Sequence, residues 1–260
     1  MTPPLAGKGA VVTGGGRGIG AAVARRLASA GARVIVAARS ADQVTAVARD
    51  ITAAGGAAWP RTCDVTDAAS VAALADFAVK TLSHVDILVN NAGVAHSAPL
   101  HRITLEDWQR LFAVNVTGTL LCAQAFVPGM IERRWGRVVN IASVAGLSGA
   151  KYVAAYSASK HAVIGFTRCL ADEVAAHGVT VNAVCPGYVD TEMTVESLNR
   201  IVEKTGISRE QALEHILGRN PQHRLIAPDE VAHAVAMLCD EGARGINGQA
   251  IVIDGGAHLA

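Results

Sequence analysis

The sequence predicts an α/β fold: a three-layer, doubly wound, parallel seven-stranded sheet with helices on both faces. Three observations carry that expectation. Short apolar runs alternate with longer amphipathic ones from end to end, the pattern of parallel strands each followed by a covering helix. Hydrophobic residues make up 51% of the 260 positions, enough for a sizeable buried core. Nothing Pro-rich or low in complexity interrupts the alternation, so residues 1–260 read as one domain.

Each element follows from its local pattern. GAVVTG (9–14) is the first strand, and the helix behind it runs from about Gly18 to Ala30, stopping at Gly31, a natural C′ glycine. RVIVAA (33–38) is the second strand. A helix over 41–54, a strand over 57–63, a helix over 67–82 and a strand over 85–90 continue the rhythm. A long helix over about 104–131 precedes strand RVVNIA (137–142), and another over about 152–177 precedes strand VTVNAVC (179–185). The stretch 188–228 departs from this pattern. It reads as two short helices broken at Thr205 and Gly206, an insertion at the carboxyl edge of the sheet, where open α/β folds bind ligands. A helix over about 229–239 and strand QAIVID (249–254) close the chain.

Composition narrows the function. Lys and Arg total 23 against 22 Asp and Glu, a net charge of +1, without the basic excess that nucleic-acid phosphates demand. A small ligand is the better expectation. The start MTPPLAGKGA has no charged leader before an apolar run, and no window reads as the about 18 uncharged apolar residues of a membrane span. A cytoplasmic protein is expected. Cys63, Cys122, Cys169, Cys185 and Cys239 form no CxxC pair and sit mostly in apolar segments, so they read as reduced core residues. No His/Cys cluster has metal-ligand spacing, so no metal is expected. GLSG (146–149) is not the G-x-S-x-G elbow of a serine hydrolase. Asn115-Val116-Thr117 matches the N-glycosylation pattern, but without a secretory leader that match is read as chance.

The loop TGGGRGIG (13–20) follows a strand and opens a helix. Glycines there let the backbone turn sharply and approach a pyrophosphate, while the helix start offers free N–H groups and the positive end of its dipole. Gly14, Gly18 and Gly20 fall as G-x-x-x-G-x-G rather than the commoner G-x-G-x-x-G. The end of the second strand selects the nucleotide: an acidic residue there binds the ribose 2′-hydroxyl of NAD and repels the 2′-phosphate of NADP. Ala38 and Arg39 offer no carboxylate, and Arg39 with Arg17 can grip a phosphate. NADP(H) is therefore expected over NAD(H).

In YSASK, Tyr156 and Lys160 lie four apart on a predicted helix and share one face. A neighbouring ammonium favours the phenolate and lowers a tyrosine pKa from its usual value of about 10, making the pair a candidate proton donor and acceptor. Ser143, at the end of strand RVVNIAS, stands at the same carboxyl edge and can hydrogen-bond a substrate carbonyl. His161 points away from Lys160 and reads as a structural or surface residue.

Together with CDV (63–65), NNAG (90–93), NVTG (115–118), PG (186–187) and the DGG ending (254–256), these motifs resemble the short-chain dehydrogenase/reductase family in its single-domain, Rossmann-fold form. The resemblance spans essentially the whole chain. It implies hydride transfer between a nicotinamide cofactor and a carbonyl or alcohol, with Tyr156 as general acid and base. It implies that Ser143 orients and polarises the carbonyl, and that Lys160 lowers the tyrosine pKa and holds the nicotinamide ribose. Asn115, set in a helix irregularity, would anchor a water that relays protons. Gly14 to Gly20, including Gly16, Gly18 and Ile19, would wrap the pyrophosphate. Asp64 and Val65 would frame the adenine, Asn91, Ala92 and Gly93 would line the ribose, and Val189 and Thr191, after Pro186 and Gly187, would meet the nicotinamide amide and phosphates. Family members assemble through their long helices, which implies a homotetramer or homodimer.

The substrate is less legible. YSASKHAVIGFTR and GVTVNAVCPGYVDTEM resemble reductases of 3-oxoacyl thioesters, so a CoA or acyl-carrier thioester stands beside other small carbonyl compounds and alcohols. Arg133, Arg134 and Arg137 form a basic cluster. Arg134 matches a place where carrier-protein reductases of the family dock an acidic carrier, whereas His177 stands where a second basic residue is expected, and a solvated helix end explains the cluster more simply. Val94, His96, Val144, Val153, Tyr188 and Met193 are candidate pocket residues, mostly apolar, which suits an acyl or ring substrate. The main expectation is NADPH-dependent reduction of a ketone. The alternatives are NAD-dependent oxidation of a secondary alcohol or 3-hydroxyacyl-CoA, and a non-catalytic cofactor-binding sensor.

Overall fold

A computed structural model of the chain describes residues 3–218 and 220–259; Met1, Thr2, Arg219 and Ala260 lie outside it. Strands β1 (Gly9–Thr13), β2 (Arg33–Ala38), β3 (Ala57–Thr62), β4 (Ile87–Asn90), β5 (Gly136–Ile141), β6 (Val179–Pro186) and β7 (Ala250–Ile253) form one sheet. Their order is β3-β2-β1-β4-β5-β6-β7, with every pairing parallel. Successive strand residues point to opposite faces: Val12, Val34 and Val36 enter one core, while Val11, Ile35 and Ala37 enter the other. Burial on both faces explains why the strands read as continuous apolar runs. Pro60 fits because β3 is an edge strand that pairs only with β2.

The helices are α1 (Gly18–Ser29), α2 (Ala41–Ala53), α3 (Ala68–Leu82), α4 (Leu105–Phe112), α5 (Gly118–Arg133), α6 (Ala154–Val174), α7 (Glu192–Thr205), α8 (Arg209–Leu217) and α9 (Pro228–Cys239). α1, α2 and α9 cover one face, and α3, α5 and α6 the other. α1 stops as its sequence predicts: Gly31 takes φ of 96°, its N–H bonds the Ala28 carbonyl, and the next N–H bonds that of Leu27. The insertion also forms as expected. α7 and α8 meet at Gly206, Ser208 and Gln211 close a capping box, and Leu198, Ala212 and Ile216 form a small core of their own.

Four expectations need correction. The long helix over 104–131 is two helices joined by a π-helical turn, Ala113–Thr117, which widens the backbone around Asn115. The combined rod Leu105–Arg133 contains an 18-residue window of mean hydropathy 1.5 and so does pass the length and composition test for a membrane span. Less than half of that apolar window, 44%, is buried inside the chain, because only one side of the rod meets the sheet. Cys63, Cys122, Cys185 and Cys239 are buried free thiols, but Cys169 is exposed on the outer side of α6. The basic cluster is a solvated helix end only in part: Arg133 and Arg134 are exposed where α5 finishes, whereas Arg137, in β5, is buried. Arg137 is 2% exposed, its guanidinium 4.3 Å from the Trp135 ring and 3.1 Å from the Glu241 carboxylate. Arg133 and Arg134 donate to the carbonyls of Val85 and Ala176. All three arginines tie down backbone or a carboxylate near the amino edge of the sheet.

Candidate active site

Parallel strands bring the ends of β1, β4, β5 and β6 to one edge, where β1 and β4 are neighbours although their chains leave in opposite directions. That crevice is the place an open α/β sheet offers a ligand. The loop after β1 is packed too tightly for side chains: a Cβ on Gly20 would stand 2.3 Å from the Gly14 carbonyl oxygen. Asn91 holds the loop in place, its Nδ2 donating to the carbonyls of Thr13 and Gly14 at 3.0 Å each. Thr13 Oγ1 accepts from the N–H groups of Asn91 and Ala92. No side chain caps α1 and no acidic residue sits in its first turn, so its N–H groups are free for an anion. Ile19 packs against the core behind them. These features fit a pyrophosphate.

Further along the edge, Arg39 is exposed and makes no ion pair among the described residues, whereas Arg17 pairs with Glu192 at the start of α7. Asp64 accepts from the Thr66 N–H and hydroxyl, which hold its carboxyl below the usual range, with a smaller pull from Arg39. Val65 is buried beside it. Gly187 donates to Ile253, Val189 bridges to Ile226, and Thr191 leads into α7. The cofactor candidates from β1 to β6 therefore border one crevice.

Ser143 follows β5, where its hydroxyl accepts from the Ala145 N–H at 3.1 Å. Tyr156 and Lys160 stand on one face of α6, with Lys160 Nζ 5.8 Å from the tyrosine ring centre. Lys160 is buried and donates to the Ile141 carbonyl at 2.8 Å; burial lowers its pKa to about 8. For Tyr156, burial raises the phenol pKa, and a hydrogen bond from Ser143 opposes that rise. The sequence expectation that the ammonium sets the direction is thus corrected: desolvation is the larger effect. Asn115 lies in the π-helical turn, bonded through its side chain to both backbone groups of Val94. His161 is at the surface, with Nδ1 against the Ser157 carbonyl.

The same order of residues is found in known proteins. A profile described as short chain dehydrogenase matches residues 8–201. The chain belongs to the short-chain dehydrogenase/reductase family. It is 42% identical over 249 residues to the 3-oxoacyl-acyl-carrier-protein reductase of Synechocystis sp., covering 95% of each chain. It is 36% identical over 255 residues to the D-beta-hydroxybutyrate dehydrogenase of Cupriavidus necator, covering 97% of this chain and 98% of the other. Among solved structures, a variant of the actinorhodin polyketide ketoreductase with NADPH superposes with a TM-score of 0.94 at 39% identity, covering 97% of this chain and 98% of the other. The protein is an oxidoreductase with a nicotinamide-cofactor site that acts on carbonyl or alcohol groups.

In this short-chain dehydrogenase/reductase the candidate pocket residues differ in exposure. Val94, Val144 and Val153 are half-buried, and Tyr188, after β6, and Met193, at the start of α7, are exposed. Beyond them a shallow pocket of about 410 Å3 is lined by Ala95, His96, Arg110, Glu196, Asn199, Arg200 and Glu203. His96 faces Asp107 at 3.5 Å. A larger groove, about 590 Å3, lies between α1 and α9 and contains none of the site residues. Thr13 and Glu192 escaped the sequence reading. Thr13 could have been found as the hydroxyl that opens the glycine loop, whereas the Arg17–Glu192 pair joins residues 175 apart and has no local signal.

Proposed function

We propose that the protein is an NADPH-dependent ketoreductase that reduces a 3-oxoacyl thioester to the 3-hydroxyacyl product. The observation that carries this reading is the set formed by Ser143, just after β5, and Tyr156 and Lys160 on one face of α6, with Lys160 Nζ 5.8 Å from the phenol ring centre and the phenol pKa raised by burial. Gly14, Gly16, Gly18, Ile19 and Gly20 would hold the pyrophosphate, Asp64 and Val65 the adenine side, and Asn91, Ala92 and Gly93 the ribose side. Pro186, Gly187, Val189 and Thr191 would border the nicotinamide. Arg39 is the better-placed partner for a 2′-phosphate, since Arg17 is held by Glu192. A bound NADPH supplies the hydride that reaches the carbonyl carbon.

Ser143 donates to the carbonyl oxygen and draws its electrons away from carbon. Tyr156 gives its phenolic proton to that oxygen as the charge develops, a transfer favoured by a donor that is neutral at working pH. Lys160 holds positive charge beside the phenolate that results, and Asn115 stands at the route by which a proton returns. The half-buried Val94, Val144 and Val153 would suit the short acyl part, and the charged pocket lined by His96, Arg110 and Arg200 would suit the polar arm of a thioester. The reductases named above support the same substrate class. Replacing Tyr156 by Phe tests the assignment with acetoacetyl-CoA and NADPH: turnover falls at least about a hundredfold while NADPH binding stays within about twofold. A fully active Phe variant would sink it.

A further inference from the structure

Ser159 lies inside YSASK, is fully buried, and has no role in the reading above. Its hydroxyl donates to the Tyr156 carbonyl at 2.7 Å and accepts from Asn115 Nδ2 at 3.0 Å. A serine hydroxyl has one proton. Giving it to Tyr156 turns the oxygen lone pairs towards the amide, so the two bonds set each other's direction. The rest of the Asn115 side chain is committed to the loop after β4: Oδ1 accepts from the Val94 N–H at 2.9 Å, and Nδ2 donates to the Val94 carbonyl at 3.0 Å. The Asn115 carbonyl accepts from Thr119 Oγ1 at 2.9 Å. Gly93 lies within the same knot, since a Cβ there would be 3.4 Å from Asn115 Oδ1 and 3.6 Å from Lys160 Nζ.

We propose that Ser159 is a positioning residue for the proton transfer. Through Asn115 it ties the first turn of α6, which carries Tyr156, to Val94 in the loop after β4. A hydroxyl bonded only to a carbonyl in its own helix would be a local detail; the second bond joins three segments that must keep one geometry. Alanine at this position would leave a buried Asn115 N–H without its second partner. The amide could then turn, and the phenol would lose a fixed distance to its acceptor. This inference rests on Tyr156 being the acid, and the Tyr156→Phe control separates failure of that assignment from failure of the clamp.

The test uses the full-length protein with acetoacetyl-CoA and NADPH. Ser159→Ala lowers kcat about tenfold, the scale on which small misplacements act, and leaves the Kd for NADPH within about twofold. Combined with Asn115→Ala, it adds nothing to the loss caused by Asn115→Ala alone, because both act through one bond. Ser159→Thr keeps the hydroxyl and restores most of the rate. An unchanged kcat in Ser159→Ala, or losses that multiply in the double variant, overturns the proposal. So does a thermal midpoint that falls in step with kcat in both Ser159 variants, which would mark a general packing role.

Discussion

Arg39 is the residue on which cofactor choice turns. It follows β2 directly and makes no ion pair among the described residues, and Asp64, which feels its charge, is already held by Thr66. A guanidinium in that state can meet a phosphate without first breaking another bond. Charge-assisted hydrogen bonds contribute about 1.5–3 kcal/mol, so Arg39→Ala should lower kcat/KM for NADPH about ten- to hundredfold and change that for NADH little. Steady-state kinetics with both cofactors checks this, and an unchanged NADPH preference would remove Arg39 from the 2′-phosphate site. Residue identity and spacing made Arg39, Ser143, Tyr156 and Lys160 legible from the sequence. The environment of each was not: the buried setting of Lys160, against the Ile141 carbonyl, comes from β5.

At the level of elements, the start of α9 shows a cap that spacing alone would miss. Arg224 Nη1 and Nη2 donate to both Glu230 oxygens at 2.6 and 2.7 Å, and Glu230 also accepts from the Ala227 N–H at 2.7 Å. The Arg224 hydrogen bonds, then the Ala227 N–H, lower the Glu230 pKa from 4.5 to about 2. A carboxyl with a depressed folded-state pKa stabilises the fold above its unfolded value and loses that contribution as pH falls through the folded one. Glu230→Gln should therefore cost about 0.5–1 kcal/mol near neutral pH, a modest figure because both side chains are partly exposed. The gap to the parent protein should close as pH falls from 4.5 towards about 2. Thermal melts across that range measure it; a gap independent of pH would exclude the carboxylate as its cause. The π-helical turn at Ala113–Thr117 belongs to the same class of feature. Periodicity alone shows one helix there, the family resemblance implies an irregularity at Asn115, and the departure from α geometry serves contacts that Asn115 makes with Val94 and Ser159.

For the whole molecule, the outer side of the α4–α5 rod exposes several large apolar side chains among polar ones. Leu105 is 64% exposed, and Trp108 and Leu120 are each 40% exposed. We infer that copies of the chain cover this surface in a homotetramer or homodimer. Sedimentation velocity should show the assembled species, and Leu105→Glu with Trp108→Glu should shift it to a smaller one; a parent protein that sediments as a monomer refutes the inference. By itself the sequence determined the seven strands, the order of strands and helices, the glycine loop and the Ser143, Tyr156 and Lys160 set. Those follow from periodicity and from residue chemistry at fixed spacing, which are local properties of a chain. Only the tertiary structure decided that Arg137 is buried, that Arg17 meets Glu192, that charged side chains of α4 and α7 line one shallow pocket and that Ser159 links Asn115 to Tyr156. Each depends on which distant segments the sheet brings together, and burial and hydrogen bonding there outweigh what any local pattern specifies.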